Sequence, residues 1–248
     1  LTNACNLACG YCYECHQKDY MTAETAKKAA LLAAGYHSRE LRNEMNSLDY
    51  QKLKGRDFID HFGTLGKLCS IILHFGIYDL DYLEQWVGGL LEQKGIRTFG
   101  DLKKTGRTLK ITASDLTARH LLILPDDFAQ LGICPDDFSI ALAVRMSAGI
   151  PIFFEPVRLK DQKGREHLIA DGGLLSNFPI WLLGKKCFKE KGPAFGFRFA
   201  DSRDQDWCSS GSECWNLIDY LKAMAAACMD ATDYSLTSAR DLLRTVEI

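Results

Sequence analysis

Two features that would place the chain in a broad class are missing from its sequence. No apolar run among its 248 residues approaches the roughly 20 residues that a membrane-spanning helix needs. The N-terminus has no basic segment followed by an apolar one, which is the layout of a secretory signal peptide. These absences lead us to expect a cytoplasmic protein.

The chain also lacks an excess of charge of either sign. Its 30 basic and 32 acidic residues give a net charge of −2. Such a balance offers no general electrostatic attraction to nucleic acid or to an anionic membrane, so we predict no nucleic-acid partner. The length suits one large α/β domain with a substantial core.

Cysteine, in contrast, is plentiful and unevenly placed. Four of the ten cysteines fall between residues 5 and 15. Because no export signal is visible, we interpret them as reduced thiols rather than as a disulfide framework. The spacing of Cys5, Cys9 and Cys12 allows three thiolates to converge on one iron–sulfur cluster, leaving one iron open to a substrate.

The residues around these cysteines, together with the helix-like segment Met21–Ala29, resemble the cluster loop of radical S-adenosylmethionine enzymes. The resemblance implies a 4Fe-4S cluster and S-adenosylmethionine held at Cys5, Cys9 and Cys12. No matching glycine-rich cofactor loop follows in the sequence. A zinc site that adds Cys15 or His16 and a cysteine group without any ligand remain alternatives.

The most informative stretch is His167–Ile180, where an apolar run ends abruptly at Asp171. Gly172 and Gly173 follow, so the chain can turn sharply and leave Asp171 exposed at the end of a buried strand. The alternative is structural: Asp171 caps a helix that begins near Ser176 or Asn177, or it closes a turn.

A second stretch, Phe138–Val157, contains a helix of small residues that runs into an Ile-Pro turn. Together the two stretches resemble the patatin-like phospholipase family over residues 29–248. The resemblance implies an α/β fold in three layers, with helices on both faces of a sheet. It also implies a cofactor-free serine hydrolase with a Ser–Asp dyad, acting on phospholipid or acylglycerol esters and contacting a membrane peripherally. It assigns the dyad aspartate to Asp171 and substrate-binding positions to Gly172 and Gly173.

The nucleophile half of that pattern is missing. The elbow G-x-S-x-G should fall on Met21–Thr25, which places Ala23 where the serine belongs. A glycine-rich loop for the oxyanion is also missing, so we expect an N-terminally incomplete fold and impaired hydrolysis.

Other interpretations of the chain are a radical S-adenosylmethionine enzyme fragment and a non-catalytic lipid-binding pseudoenzyme. A chimera of residues 1–28 with 29–248, joined between Lys18 and Ala30, would explain both incomplete signatures. The ending Arg244–Ile248 suggests a truncated C-terminus.

Further elements are predicted from periodicity. We expect helices over Tyr78–Lys94, residues 138–148 and Trp215–Asp230, a strand over Leu109–Asp115 and a single strand over residues 152–159. Asp115 receives no role, since strand ends often carry Asp for turn formation. Leu65–Tyr78 reads as an amphipathic helix with Leu68, Ile71, Ile72 and Phe75 in the core, and contact with lipid is its alternative.

Overall fold

The computed structural model describes residues 21–49, 52, 63–176, 179–183, 196–198 and 245–247. Cys5, Cys9, Cys12 and the helix predicted over Trp215–Asp230 lie outside these residues. The described helices are α1 (Met21–Ala34), α2 (Ser38–Ser47), α3 (Gly63–His74), α4 (Asp81–Gln93), α5 (Phe99–Lys104), α6 (Ile140–Ala148) and α7 (Gly173–Ser176), with short 3-10 helices at Asp126–Leu131 and Ile180–Leu183.

The described strands form three sheets. They are β1 (Gly76–Tyr78), β2 (Ile111–Asp115), β3 (His120–Leu124), β4 (Ile152–Phe154), β5 (Val157–Lys160), β6 (Glu166–Asp171), β7 (Gly196–Arg198) and β8 (Thr245–Glu247). The largest sheet is antiparallel in the order β3-β2-β6-β5, while β1 pairs with β4 and β7 with β8 in parallel. The predicted α/β class is confirmed.

Helix α6 lies at the centre of this arrangement. It contacts α1, α4, β2 and β6. Its buried side chains are mostly small, and this permits close packing: a Cβ added to Gly88 of α4 would lie 3.7 Å from the Cβ of Ala141. The helix predicted over 138–148 is confirmed, with its start moved to Ile140 because the Ser139 hydroxyl caps it by accepting the Leu142 N–H at 3.2 Å.

The single strand predicted over residues 152–159 is wrong. The structure has two strands, β4 and β5, separated by Glu155 and Pro156. Proline has no N–H to donate to a ladder, and the chain changes sheets at this point. Strand β4 pairs with β1, whereas β5 pairs with β6.

The core assignment for Leu65–Tyr78 is also wrong in part. Helix α3 ends at His74, Phe75 adopts a left-handed φ of 63°, and Gly76–Tyr78 is a strand. Ser70 is on the buried side of the helix, and its hydroxyl donates to the Gly76 carbonyl at 2.7 Å. Ile72 and Phe75 are therefore exposed by 65% and 49% rather than packed in the core.

One predicted strand and one predicted helix hold closely: the strand predicted over Leu109–Asp115 is β2, Ile111–Asp115. The helix predicted over Tyr78–Lys94 begins at Asp81 and buries its apolar face as expected. Arg145 links it to α6, donating to Glu84 at 3.0 Å. Within the described residues, none of the helices has the length and hydropathy needed to cross a bilayer.

Candidate active site

Asp171 is the last residue of β6, and it pairs with Ala113 of β2. It is only 1% exposed, so the expectation of an exposed carboxylate is wrong. The reason is tertiary: β6 runs between β2 and β5, and α6 ends against it. The Asp171 N–H donates to the Gly149 carbonyl at 2.9 Å, which fixes the strand end to the residue that follows α6.

The Asp171 carboxylate is held by the chain that follows it. Its Oδ1 accepts the Gly173 N–H at 2.8 Å, at the start of α7. A helix leaves its first N–H groups without partners inside the helix, and this contact satisfies one of them. Of the structural alternatives for Asp171, the structure shows a turn: its side chain accepts the N–H two residues ahead, and the helix that follows starts at Gly173 rather than near Ser176. The same hydrogen bond orients the carboxylate.

The two glycines after Asp171 have distinct local roles. A Cβ at Gly172 would lie 2.4 Å from the Thr112 carbonyl oxygen, so no larger residue fits without movement of the backbone. The Gly173 N–H is engaged by Asp171. The structure brings Asp171, Gly172 and Gly173 together, and the substrate-binding role of the two glycines stays a prediction.

The turn between α6 and β4 lies beside this group through Gly149. Ile152, which begins β4, has a φ of 74°. A β-branched residue rarely adopts this left-handed conformation because its Cβ meets the neighbouring carbonyl. Strain of this kind tends to collect at functional sites, and here it lies three residues after the carbonyl that binds the Asp171 N–H.

The segment predicted to hold the nucleophile elbow lies at the start of α1. The helix begins at Met21, so Ala23 falls within its first turn. Helix α1 packs against α6, whose end is joined to Asp171. Helix α1 and the Asp171 carboxylate are therefore linked through one intervening element, and alanine at position 23 supplies no hydroxyl.

Lys27, four residues after Ala23, was not singled out by the sequence reasoning. It is 1% exposed. A buried ammonium needs a compensating partner, and Lys27 is not isolated. A signal was present in the sequence, since Lys27 lies on the same helical stripe as the buried residues Ala30, Leu31 and Ala34.

A second group of titratable side chains lies towards the other end of β6. Asp115 Oδ2 lies 2.6 Å from His167 Nδ1, and His167 Nε2 lies 3.7 Å from Asp161 Oδ2. Burial raises the pKa of Asp161, but hydrogen bonds from Arg165 and Lys163 outweigh it and lower the pKa to about 2. Asp115, which the sequence left without a role, thus joins the β5–β6 hairpin to β2.

The part of the chain that the structure describes contains no candidate metal site. No group of three or more His, Cys, Asp or Glu side chains there could hold an ion. The proposed cluster ligands Cys5, Cys9 and Cys12 lie outside that part.

Comparison with known proteins identifies the family. Residues 28–183 match the family model described as patatin-like phospholipase. The chain is also 42% identical over 179 residues to "Uncharacterized protein YqhO" of Bacillus subtilis (strain 168), an alignment that takes in 72% of this chain and 60% of the relative. The chain therefore spans about 60% of the length of this curated relative.

The family match begins after Met21–Thr25 and contains Asp171, Gly172 and Gly173. It lends no support to the radical S-adenosylmethionine resemblance of residues 1–28. Because the match takes in more than half of the chain, including the Asp-Gly-Gly stretch at the end of β6, the protein belongs to the patatin-like phospholipase family.

Proposed function

We propose that this chain derives from a lipid acyl hydrolase in which Asp171 is the general base of a Ser–Asp dyad. The observation that carries the proposal is the placement of Asp171 at a buried strand end, with its Oδ1 held 2.8 Å from the Gly173 nitrogen. Phospholipid or acylglycerol esters are the proposed substrates, and a membrane surface is the proposed peripheral contact.

In such a dyad the serine oxygen attacks the ester carbonyl while the aspartate takes the serine proton. The alcohol leaves, and water then cleaves the acyl-enzyme. With Ala23 at the serine position, the covalent route is closed in this sequence. Loss of a nucleophile costs a serine hydrolase on the order of a million-fold in turnover, so we expect little or no hydrolysis by the unmodified chain.

The test combines a short-chain nitrophenyl ester with a serine-directed fluorophosphonate. We expect no labelling of the unmodified chain. Restoring the elbow with Met21→Gly, Ala23→Ser and Thr25→Gly should create labelling that adding Asp171→Asn removes. Asp115→Asn in the restored background is the control, because Asp115 is an equally buried carboxylate on the neighbouring strand, where it faces His167 instead of the Gly172–Gly173 turn.

Two results would contradict the proposal. Robust labelling of the unmodified chain would show that the nucleophile lies elsewhere than position 23. Labelling of the restored elbow that survives Asp171→Asn would show that Asp171 is not the base. The melting temperature of each variant must be measured, so that a loss of labelling is not confused with unfolding.

The second candidate function is that of a lipid-binding pseudoenzyme, which binds lipid without hydrolysing it. It is supported by the same observation as the expected loss of activity, namely alanine at position 23. It predicts that fatty-acid binding, measured by displacement of a fluorescent fatty acid, survives Asp171→Ala. Loss of binding in that variant, with the fold intact, would argue against it.

A cluster-binding activity of residues 1–28 is proposed on the spacing of Cys5, Cys9 and Cys12 alone. Anaerobic reconstitution with iron and sulfide should then give a brown protein that, once dithionite has reduced the cluster by one electron, cleaves S-adenosylmethionine. The triple variant with serine at all three positions should stay colourless. A colourless unmodified protein without bound iron would end this proposal.

A further inference from the structure

Within the described residues, four large apolar side chains are exposed. They are Ile72 and Leu73 of α3, exposed by 65% and 68%, Phe75 at 49%, and Leu116 after β2 at 36%. Cys69, one turn before Ile72 and Leu73, is exposed on the same side of α3. The buried side of this helix instead contains Ser70.

Contacts connect these residues through the β5–β6 hairpin. The Arg158 guanidinium lies 5.2 Å from the centre of the Phe75 ring. Arg158 is directly opposite Leu168 in the β5–β6 ladder, and the Leu116 N–H donates to the Leu168 carbonyl at 2.9 Å. The apolar corner of α3 and Leu116 thus border the same outer face of the sheet. We call this face, with Ile72, Leu73, Phe75, Leu116 and Arg158, the outer apolar surface.

The charges beside this surface are positive in sum, although Arg158 donates to Glu166 at 2.9 Å and Arg165 donates to Asp161 at 2.7 Å. Arg158 and Lys160 share the outer face of β5, because the residues that alternate with them, Val157 and Leu159, pack against the core. The hairpin over residues 157–166 carries four cations against two carboxylates. The protein as a whole has a net charge of −2, so the excess of cations is local to the hairpin.

We propose that the outer apolar surface docks on the surface of a phospholipid bilayer that contains anionic lipids. Exposed leucine, isoleucine and phenylalanine side chains can enter the boundary between headgroups and acyl chains. Arg158 and Lys160 then lie at the level of the lipid phosphates, where cations are attracted to an anionic leaflet. The proposed function enters only in the choice of a lipid partner, and docking requires no turnover.

The test is co-sedimentation with vesicles of phosphatidylcholine containing phosphatidylglycerol. We expect the unmodified chain to bind, and Ile72→Ser with Leu73→Ser to weaken its affinity at least about 10-fold, since two exposed apolar side chains no longer enter the bilayer. Ile72→Val with Leu73→Met is the matched control and should retain binding. Because both residues are exposed, the melting temperature should change little.

The charge contribution has its own pair of variants. Arg158→Gln with Lys160→Gln should reduce binding to the vesicles with phosphatidylglycerol and lower its sensitivity to salt. Lys103→Gln with Lys104→Gln removes equal charge from α5, where the two side chains are 74% and 79% exposed, and should leave binding unchanged.

The proposal is overturned if the unmodified chain does not bind vesicles or if the Ser variant binds as well. It is also overturned if sedimentation velocity shows a dimer that the Ser variant dissociates, because the surface would then join two copies. Hydrolysis of a soluble ester, measured without vesicles, is scored separately. Failure of the labelling test above therefore leaves the docking result unaffected. Failure of the vesicle-binding test likewise leaves the labelling result unaffected.

Discussion

Individual residues of the Asp171 turn are constrained by backbone contacts as much as by chemistry. Gly172 lies so close to the Thr112 carbonyl that an added Cβ would clash with it. Gly173 supplies the N–H that orients the Asp171 carboxylate. The sequence indicated that Asp171 ends a strand at a glycine turn. It did not indicate burial, because the contact between the Asp171 N–H and Gly149 joins residues from different elements.

Gly172→Ala should lower the free energy of unfolding by about 1–3 kcal/mol, since an added methyl group at this position must displace backbone. Gly89→Ala in α4 is the matched control: nothing lies within 4 Å of its added Cβ, so the better helix propensity of alanine should stabilise the protein by up to about 1 kcal/mol. Urea denaturation measures both. Equal effects of the two variants would contradict the close approach at Gly172.

At the scale of elements, α3 shows how a polar contact can override an apolar pattern. Periodicity placed Ile72 and Phe75 in the core, yet the buried position belongs to Ser70, which donates to the Gly76 carbonyl at 2.7 Å. The hydroxyl joins the helix to β1, the strand that follows it. Sequence patterns report which residues share a helix face, and they do not report which face the neighbouring elements cover.

Ser70→Ala should cost about 1–3 kcal/mol of stability, because the buried Gly76 carbonyl loses this donor. Ser47→Ala at the end of α2 removes a similar hydrogen bond to the Glu44 carbonyl, but at an exposed site, and should change stability by less than about 0.5 kcal/mol. Thermal or urea denaturation of the two variants distinguishes them. A neutral Ser70→Ala would indicate that the hydroxyl does not hold α3 in this orientation.

At the scale of the whole molecule, the carboxylates of Asp101 and Asp161 make the stability of the fold depend on pH in the acid range. Hydrogen bonds from Lys104 and the Thr98 backbone lower the pKa of Asp101 to about 2, and Asp161 has a similar value for the reasons given above. Both are lower than the ordinary aspartate value of 3.8. Each group therefore adds stability that is fully present above pH 3.8 and is lost as the pH falls through about 2.

Asp101→Asn and Asp161→Asn should each lower the urea midpoint at neutral pH. The difference from the unmodified protein should shrink as the pH falls from 3.8 to about 2, because the native carboxylates become protonated there. Urea titrations across this range are the measurement. A difference that stays constant with pH would show that these carboxylates do not carry the acid dependence.

Much of this protein follows from its sequence alone. Local patterns of consecutive residues predict the small-residue helix, the strand that ends at Asp171 and the glycine turn. The same patterns indicate the family. The break between β4 and β5 could also have been inferred from Pro156.

Only the tertiary structure decided which groups are buried and which meet. Asp115 and His167 are 52 residues apart in the chain and 2.6 Å apart in space, and Leu116 and Phe75 border one surface through Arg158. The physical reason is that burial and charge pairing depend on which elements pack together. That packing is set by contacts between distant segments, whereas periodicity and spacing describe one segment at a time.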